Sequence, residues 1–220
     1  MQRLVAAAEA EAEKPSRRNE VWATDLKYVA VGERNYYLIT FIDAYSRYIV
    51  HHELLASMDG HTVSVSAQAA LETLARDGNG KLVDRPTIRS DNGSGYVSRE
   101  FGGVLDEHGL SHSRIKPHCP EENGVVERAQ RTLGDALDGE ELTNYLQAQD
   151  VIGKIMAWYN EERLHSALGF LRPVDYYRGE PEVLYEERRR KLAHARHRRR
   201  ETNLRLRQRT LPLETAEVVA

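Results

Sequence analysis

Between residues 21 and 54 the chain passes three times through strand-like sequence, with only short turns between the passes. Residues 21–31 alternate as a half-buried strand does, with Trp22, Leu26 and Tyr28 on one side and Val21, Ala23, Asp25 and Val29 on the other. Residues 32–35 (Gly-Glu-Arg-Asn) predict a hairpin turn and residues 36–43 its returning strand. Residues 44–47 predict a second turn, leading to a third strand over 48–54. Turns this short join antiparallel neighbours, because a parallel connection needs a crossover of about a dozen residues or more. Residues 21–54 are therefore an antiparallel meander, and everything after it must be laid onto that sheet.

The pattern then changes period. Val63, Ala67, Ala70, Leu71 and Leu74 are spaced as on a helix over 61–76, stopped by Asp-Gly-Asn-Gly at 77–80. A short buried strand follows at 86–91. Ser98 is placed to cap a helix running to His108, with Gly109 at its end. Residues 110–115 read as a fifth strand. Residues 116–122, with Pro117 and Pro120, form a loop into a helix that carries Glu127 and has Asn123 as its candidate N-cap. Residues 142–160 make a longer amphipathic helix. This order predicts an α/β fold, a mixed five-stranded sheet with flanking helices.

At 220 residues, 40% hydrophobic and 30% charged, the chain suits one soluble domain with a full core and a small appendage. No run approaches the length and apolarity of a membrane span, and the glutamates within the alanine-rich start exclude a signal-peptide core. A lone cysteine, Cys119, forbids an internal disulfide and fits a reducing cytoplasm.

Three carboxylates stand out by their settings. Asp25 lies in the first strand, Asp91 opens Asp-Asn-Gly at the exit of the fourth, and Glu127 lies in the first turns of a helix, 35 residues beyond Asp91. Oxygen-only ligands favour Mg²⁺ or Mn²⁺ over Zn²⁺. A half-buried, unpaired Asp25 is costly unless a cation relieves it. Such a cluster supports two-metal phosphoryl transfer. His112, His118 and Cys119 lack the paired spacing of a zinc site. Asp43 reads as the cap of the turn at Ser46 and Arg47 rather than as a ligand.

These phrases, in this order and at this interval, resemble the catalytic core of the Asp-Asp-Glu superfamily, shared by retroviral integrases and bacterial insertion-sequence transposases. The segment 158–177, with Tyr159, Asn160, Arg163, His165, Leu168 and Pro173, is similar to the stretch that closes this core in bacterial transposases. The resemblance implies a ribonuclease-H-like fold over residues 20–178, after a charged leader or linker at 1–19. It implies that Asp25, Asp91 and Glu127 hold two Mg²⁺ (or Mn²⁺) ions. The expected reaction is metal-dependent cleavage of a phosphodiester at an element end, followed by in-line attack of the freed 3′-hydroxyl on target DNA.

The DNA contacts remain open between two readings. Asn92 and Gly93 let the backbone approach a phosphate or simply make a turn, with Gly95 adding freedom; Asn123 contacts DNA or only caps its helix. Arg128 and Arg131 flank Glu127; Arg131, one turn on, holds phosphate or pairs with Glu127. The family often has a further basic residue one turn beyond, where this chain has Gly134. For Tyr159, Asn160, Arg163, His165 and Ser166, packing of the last helix is favoured over a DNA or subunit contact.

Charge is unevenly spread. Residues 186–209 hold eleven Lys and Arg against three Glu, although the whole chain has net charge −3. This basic tail (179–220), including Arg188, Arg189 and Arg190, is expected to bind phosphates of double-stranded DNA as a helix or an unstructured strand. The resemblance implies a homodimer or higher multimer on DNA in a bacterial cytoplasm, with no membrane partner. Only about twenty residues precede the first strand, whereas this group usually carries a helix-turn-helix segment there. A separate helix-turn-helix subunit, or a truncated remnant that binds DNA or a transposase as a regulator, is the corresponding expectation.

Overall fold

The computed structural model describes residues 14–115 and 124–210. It separates into two compact units, Met1–Gly179 and Glu180–Ala220.

In the first unit the two short turns do what their length requires. Strands β1 (Val21–Val31), β2 (Arg34–Asp43) and β3 (Ile49–Leu55) pair antiparallel, with Asp25 opposite Thr40 and Thr40 opposite His52. Helix α1 (Gly60–Leu71) then crosses back, and β4 (Thr87–Ser90) joins the free side of β1 in parallel. Helix α2 (Arg99–Glu107) leads to β5 (His112–Arg114), parallel to β4. The sheet order is β3-β2-β1-β4-β5, so β1 is the central strand and the mixed character begins there. Helices α3 (Gly124–Leu137) and α4 (Tyr145–Glu161) follow, then a single 3₁₀ turn at Ser166–Leu168 and the short α5 (Pro173–Tyr177).

Alternation along the strands sorts the core into two layers. Trp22, Ile39, Phe41 and Ile88 face one way and pack with Val63, Ala67 and Leu71 of α1 and with Phe101 and Leu105 of α2. Ala23, Val29, Leu38 and Ile42 face the other way, onto Val126, Ala129 and Leu133 of α3 and Ala148, Ile152 and Met156 of α4. Neighbouring residues thus serve opposite helical layers, as a pleated strand demands. Trp22 is fully buried, and its removal would cost about 3–5 kcal/mol.

Local chemistry sets the ends. Ser98 Oγ accepts the Phe101 amide at 3.1 Å, as an N-cap should, and Gly109 beyond α2 adopts φ +65°. Helix α1 ends at Leu71, five residues short of the sequence expectation. There the Thr73 hydroxyl takes the Ala70 carbonyl at 2.7 Å, and Asp77 instead anchors a separate turn by accepting the Asn79 and Lys81 amides.

The second unit contains α6 (Pro181–Thr210), a 30-residue helix. Arg188, Arg189 and Arg190 lie on it exposed, and Arg189 pairs with Glu186 at 2.6 Å.

Candidate active site

The parallel pairing of β1 with β4 brings two of the three carboxylates together. Val21 pairs with Thr87, Trp22 with Ile88 and Ala23 with Arg89; the same register continued two residues sets Asp91 level with Asp25. Asp25 shares its side of β1 with Ala23 and Val29, the side covered by α3, and Glu127 sits in the first turn of that helix. Two adjacent strands and one covering helix therefore converge on one place.

The three groups differ in exposure. Asp91 and Glu127 are exposed, whereas Asp25 is half-buried. Its Oδ1 accepts the Leu26 amide at 2.9 Å. Burial pushes the Asp25 carboxyl up to about 6; the Leu26 hydrogen bond opposes that rise, the charges of Asp91 and Glu127 add to it, and Lys27 pulls it down. Among the described residues no three His, Cys, Asp or Glu side chains are gathered closely enough to form a ready-made metal site. The charges of Asp91 and Glu127 both reach Asp25. The donor set nonetheless suits a hard divalent cation: its ligands are all oxygen, and a half-buried carboxylate is destabilised by two like neighbours.

The loop after β4 is tied down by its own residues. Gly93 donates its amide to Asp91 Oδ1 at 2.9 Å, and a β-carbon there would lie 3.0 Å from that oxygen. Asn92 donates its side-chain amide to the Ile115 carbonyl at 3.0 Å, tying the loop to the end of β5. Gly95 serves close packing rather than freedom. A β-carbon on it would lie 2.7 Å from Val63 Cγ2 and 2.8 Å from the Met58 carbonyl oxygen.

On α3, Arg128 and Arg131 are both exposed, and no ion pair joins Arg131 to Glu127 among the described residues. Gly134 is buried, and a β-carbon there would lie 3.0 Å from Lys27 Nζ. The glycine that takes the place of the family's basic residue makes room for a cation supplied from β1. Asn123 lies outside the described residues, as do His118 and Cys119.

Other assignments resolve into structure. Asp43 Oδ2 accepts the Ser46 amide at 2.8 Å and the Ser46 hydroxyl, while Oδ1 accepts the Asn19 amide at 2.7 Å. It holds the β2–β3 turn. His112 Nε2 lies 2.9 Å from Ser90 Oγ. Asn160 brackets Ile49, accepting its amide at 2.9 Å and donating to its carbonyl at 3.0 Å.

Two supports had no signature in the sequence. Tyr96 is buried with its hydroxyl 3.1 Å from Thr24 Oγ1, and burial raises its phenol pKa well above the ordinary value. Gln130 Nε2 donates to Thr40 Oγ1 at 3.1 Å, fixing α3 to the strand beside Asp25. Aromatic and amide residues of this kind are read from a sequence as generic core or surface, since their partners are 72 and 90 residues away.

Comparison with known proteins agrees with this fold. Two family models, each described as an integrase core domain, match residues 15–120 and 108–173. The chain belongs to the integrase-core family. It is 28% identical over 167 residues to the transposase for insertion sequence element IS904 of Lactococcus lactis, covering 74% of this chain and 63% of that protein. It is 27% identical over 160 residues to transposase InsF for insertion sequence IS3A of Escherichia coli, covering 72% and 54%. The chain thus spans less than two thirds of either relative.

Among solved structures, the HTLV-2 integrase catalytic core domain in complex with magnesium aligns with a TM-score of 0.56 at 18% identity, over 74% of this chain and 98% of that one. The simian T-cell lymphotropic virus intasome, in complex with a PP2A regulatory subunit, aligns with a TM-score of 0.62 at 17% identity, over 76% and 57%. The fold is that of the integrase catalytic core, which is ribonuclease-H-like.

Proposed function

We propose that this chain is the catalytic core of a DNA transposase or integrase that carries out metal-dependent phosphodiester cleavage and strand transfer. The observation that carries the reading is the convergence of Asp25, Asp91 and Glu127 from two level strand positions and one covering helix, with Asp25 raised to about 6. Asp25, Asp91 and Glu127 would hold two Mg²⁺ or Mn²⁺ ions. When bound, such ions activate the attacking oxygen and offset charge on the leaving oxygen.

The chain's own residues supply position and fields. Asp25 is held by the Leu26 amide on the central strand and Asp91 by the Gly93 amide, which fixes two carboxylates while the exposed Glu127 approaches from α3. The turn at Asn92 and Gly93 offers close backbone approach to a phosphate. Arg128 and Arg131 border Glu127 where a polyanion would lie, and Lys27 adds a cation from β1 beneath the same helix. Arg188, Arg189 and Arg190 are proposed to hold duplex phosphates without reading bases. Joining two element ends calls for at least two protomers, so a dimer or higher multimer on DNA belongs to the proposal, and a separate helix-turn-helix subunit would supply sequence recognition.

The test is nicking and joining of labelled duplex DNA in Mg²⁺ or Mn²⁺, with Glu127→Gln alongside. The proposal expects nicked and joined products from wild type and neither from the variant. Equal cleavage by both proteins would overturn it, and nicking without joining would reduce it to a nuclease.

A further inference from the structure

Apart from the carboxylates, the first unit contains a second concentration of chemistry. A cleft of about 650 Å³ opens beside the β2–β3 turn, and Lys14, Arg47, Arg89, Arg128, Arg163 and His165 line it. No acidic side chain lines it among the described residues. The first residues of α3, Gly124 and Val125, border it too, adding the positive end of a 14-residue helix.

Four buried side-chain polar atoms among the described residues lack a hydrogen-bond partner, and three of them belong to this cleft: Arg47 Nη1, Arg163 Nε and His165 Nε2. The fourth is Gln130 Oε1. Arg47 Nη1 and Arg163 Nε are cationic donors, which native structures seldom leave unmatched, whereas His165 Nε2 is a bare acceptor while the neutral ring donates to Tyr159. Asp43, the carboxylate whose charge reaches Arg47, is already occupied by Asn19 and Ser46. The cations are also close enough to disturb one another. Arg128 opposes the charge on Arg47, and burial followed by Arg163 and Arg47 holds His165 down at about 4, against a hydrogen bond from its ring to the Tyr159 backbone.

The positions are built rather than accidental. Arg47 adopts φ +64° at the end of a turn clamped by its amide to the Asp43 carbonyl at 2.8 Å. His165 packs edge-on against Tyr159, and Arg163 lies 5.7 Å over the Trp158 ring. Two arginines bordering a cleft with no carboxylate in its lining, beside an imidazole whose Nε2 takes up a proton as an anion binds, make a receptor for a tetrahedral oxyanion; Arg163, over Trp158, also borders a neighbouring groove that includes Asp135.

We propose that Arg47, Arg163 and His165 form a phosphate-binding pocket, lined by none of the three carboxylates although it reaches Arg128 beside Glu127, and large enough for a phosphate with its attached nucleoside. In the closing segment Asn160 and Leu168 pack only, whereas Arg163 and His165 pack on Trp158 and Tyr159 and also present nitrogens to the ligand. That DNA carries the phosphate rests on the strand-transfer reading; the phosphate chemistry does not.

The test uses the full chain in EDTA, which keeps cations from the carboxylates. Inorganic phosphate is titrated against chloride at matched ionic strength and followed by thermal unfolding; affinity for a short duplex is then measured across salt concentrations. Wild type should be stabilised by phosphate, and Arg163→Gln should weaken that response about tenfold or more. Loss of about one unit of the duplex salt slope in the same variant identifies a DNA phosphate as the occupant. An unchanged slope with a lost phosphate response keeps the pocket and assigns it to a free phosphate compound. Absence of both effects overturns the proposal.

If Arg163→Gln does not fold, the acrylamide-quenchable part of wild-type tryptophan emission decides, since it reports Trp158 beside Arg163 while Trp22 is fully buried: a phosphate-specific change supports the pocket and no change sinks it. The strand-transfer reading can fail in the nicking assay without altering either binding result.

Discussion

Replacing Asp25 by Asn should make the protein more stable at neutral pH while removing the carboxylate proposed as catalytic. Burial and two like charges raise the Asp25 carboxyl from 3.8 to about 6. A raised carboxyl means that ionisation costs more in the folded state than in the unfolded one. The penalty is absent below about pH 4, grows between about pH 4 and 6, and is complete above that. Two units correspond to about 3 kcal/mol as an upper limit; solvent screening of a half-buried group brings the expectation to about 1–2 kcal/mol. Asparagine keeps an oxygen to accept the Leu26 amide, so the strand itself is undisturbed. Urea unfolding in EDTA at pH 4 and pH 7.5 measures the effect. Asp25→Asn should match wild type at pH 4 and exceed it at pH 7.5, and added Mg²⁺ should stabilise wild type more than the variant. A variant no more stable than wild type at pH 7.5, or one whose advantage is the same at both pH values, would refute the reasoning.

Asn160→Ala removes both partners of the Ile49 backbone and should lower stability by about 2–4 kcal/mol, read by the same urea curves. Gly95→Ala drives a methyl into Val63 and the Met58 carbonyl; a loss of about 1–3 kcal/mol is expected, and an unchanged melting point would contradict the packing described. Changing Arg188, Arg189 and Arg190 together to Gln should lower the salt slope of duplex binding by about one to three, leaving the thermal midpoint of the first unit unmoved.

What the sequence disclosed was whatever is local. Alternation gave β1 its two faces, Ser98 gave α2 its start, and the Asp-Asn-Gly turn marked Asp91, because each depends on residues within a few positions. The meeting of Asp25 with Asp91 needed the parallel register of β1 and β4, which no local pattern fixes. The end of α1 was misjudged because Leu74 still fits a helical stripe, while the Thr73 hydroxyl competes for the helix carbonyl. Lys27 and Gly134 were invisible as a pair, being on different elements. Arg163 and His165 belong by sequence to a packing segment, and they do pack, on Trp158 and Tyr159. Only their unmatched buried nitrogens, and Arg47 opposite, separate them from Asn160.

The amide of Asn160 has a bearing on how the chain is made. β3 is the outer strand of the sheet, and Ile49 at its start has both backbone groups satisfied by a side chain 111 residues later. A strand border left open in this way is a template for pairing with another molecule. During synthesis the meander is complete long before α4 leaves the ribosome, so that border stays adhesive until residue 160 arrives. Asn160 is thus the latch that closes a temporarily sticky intermediate, and chains halted before it should aggregate although their meander is already encoded.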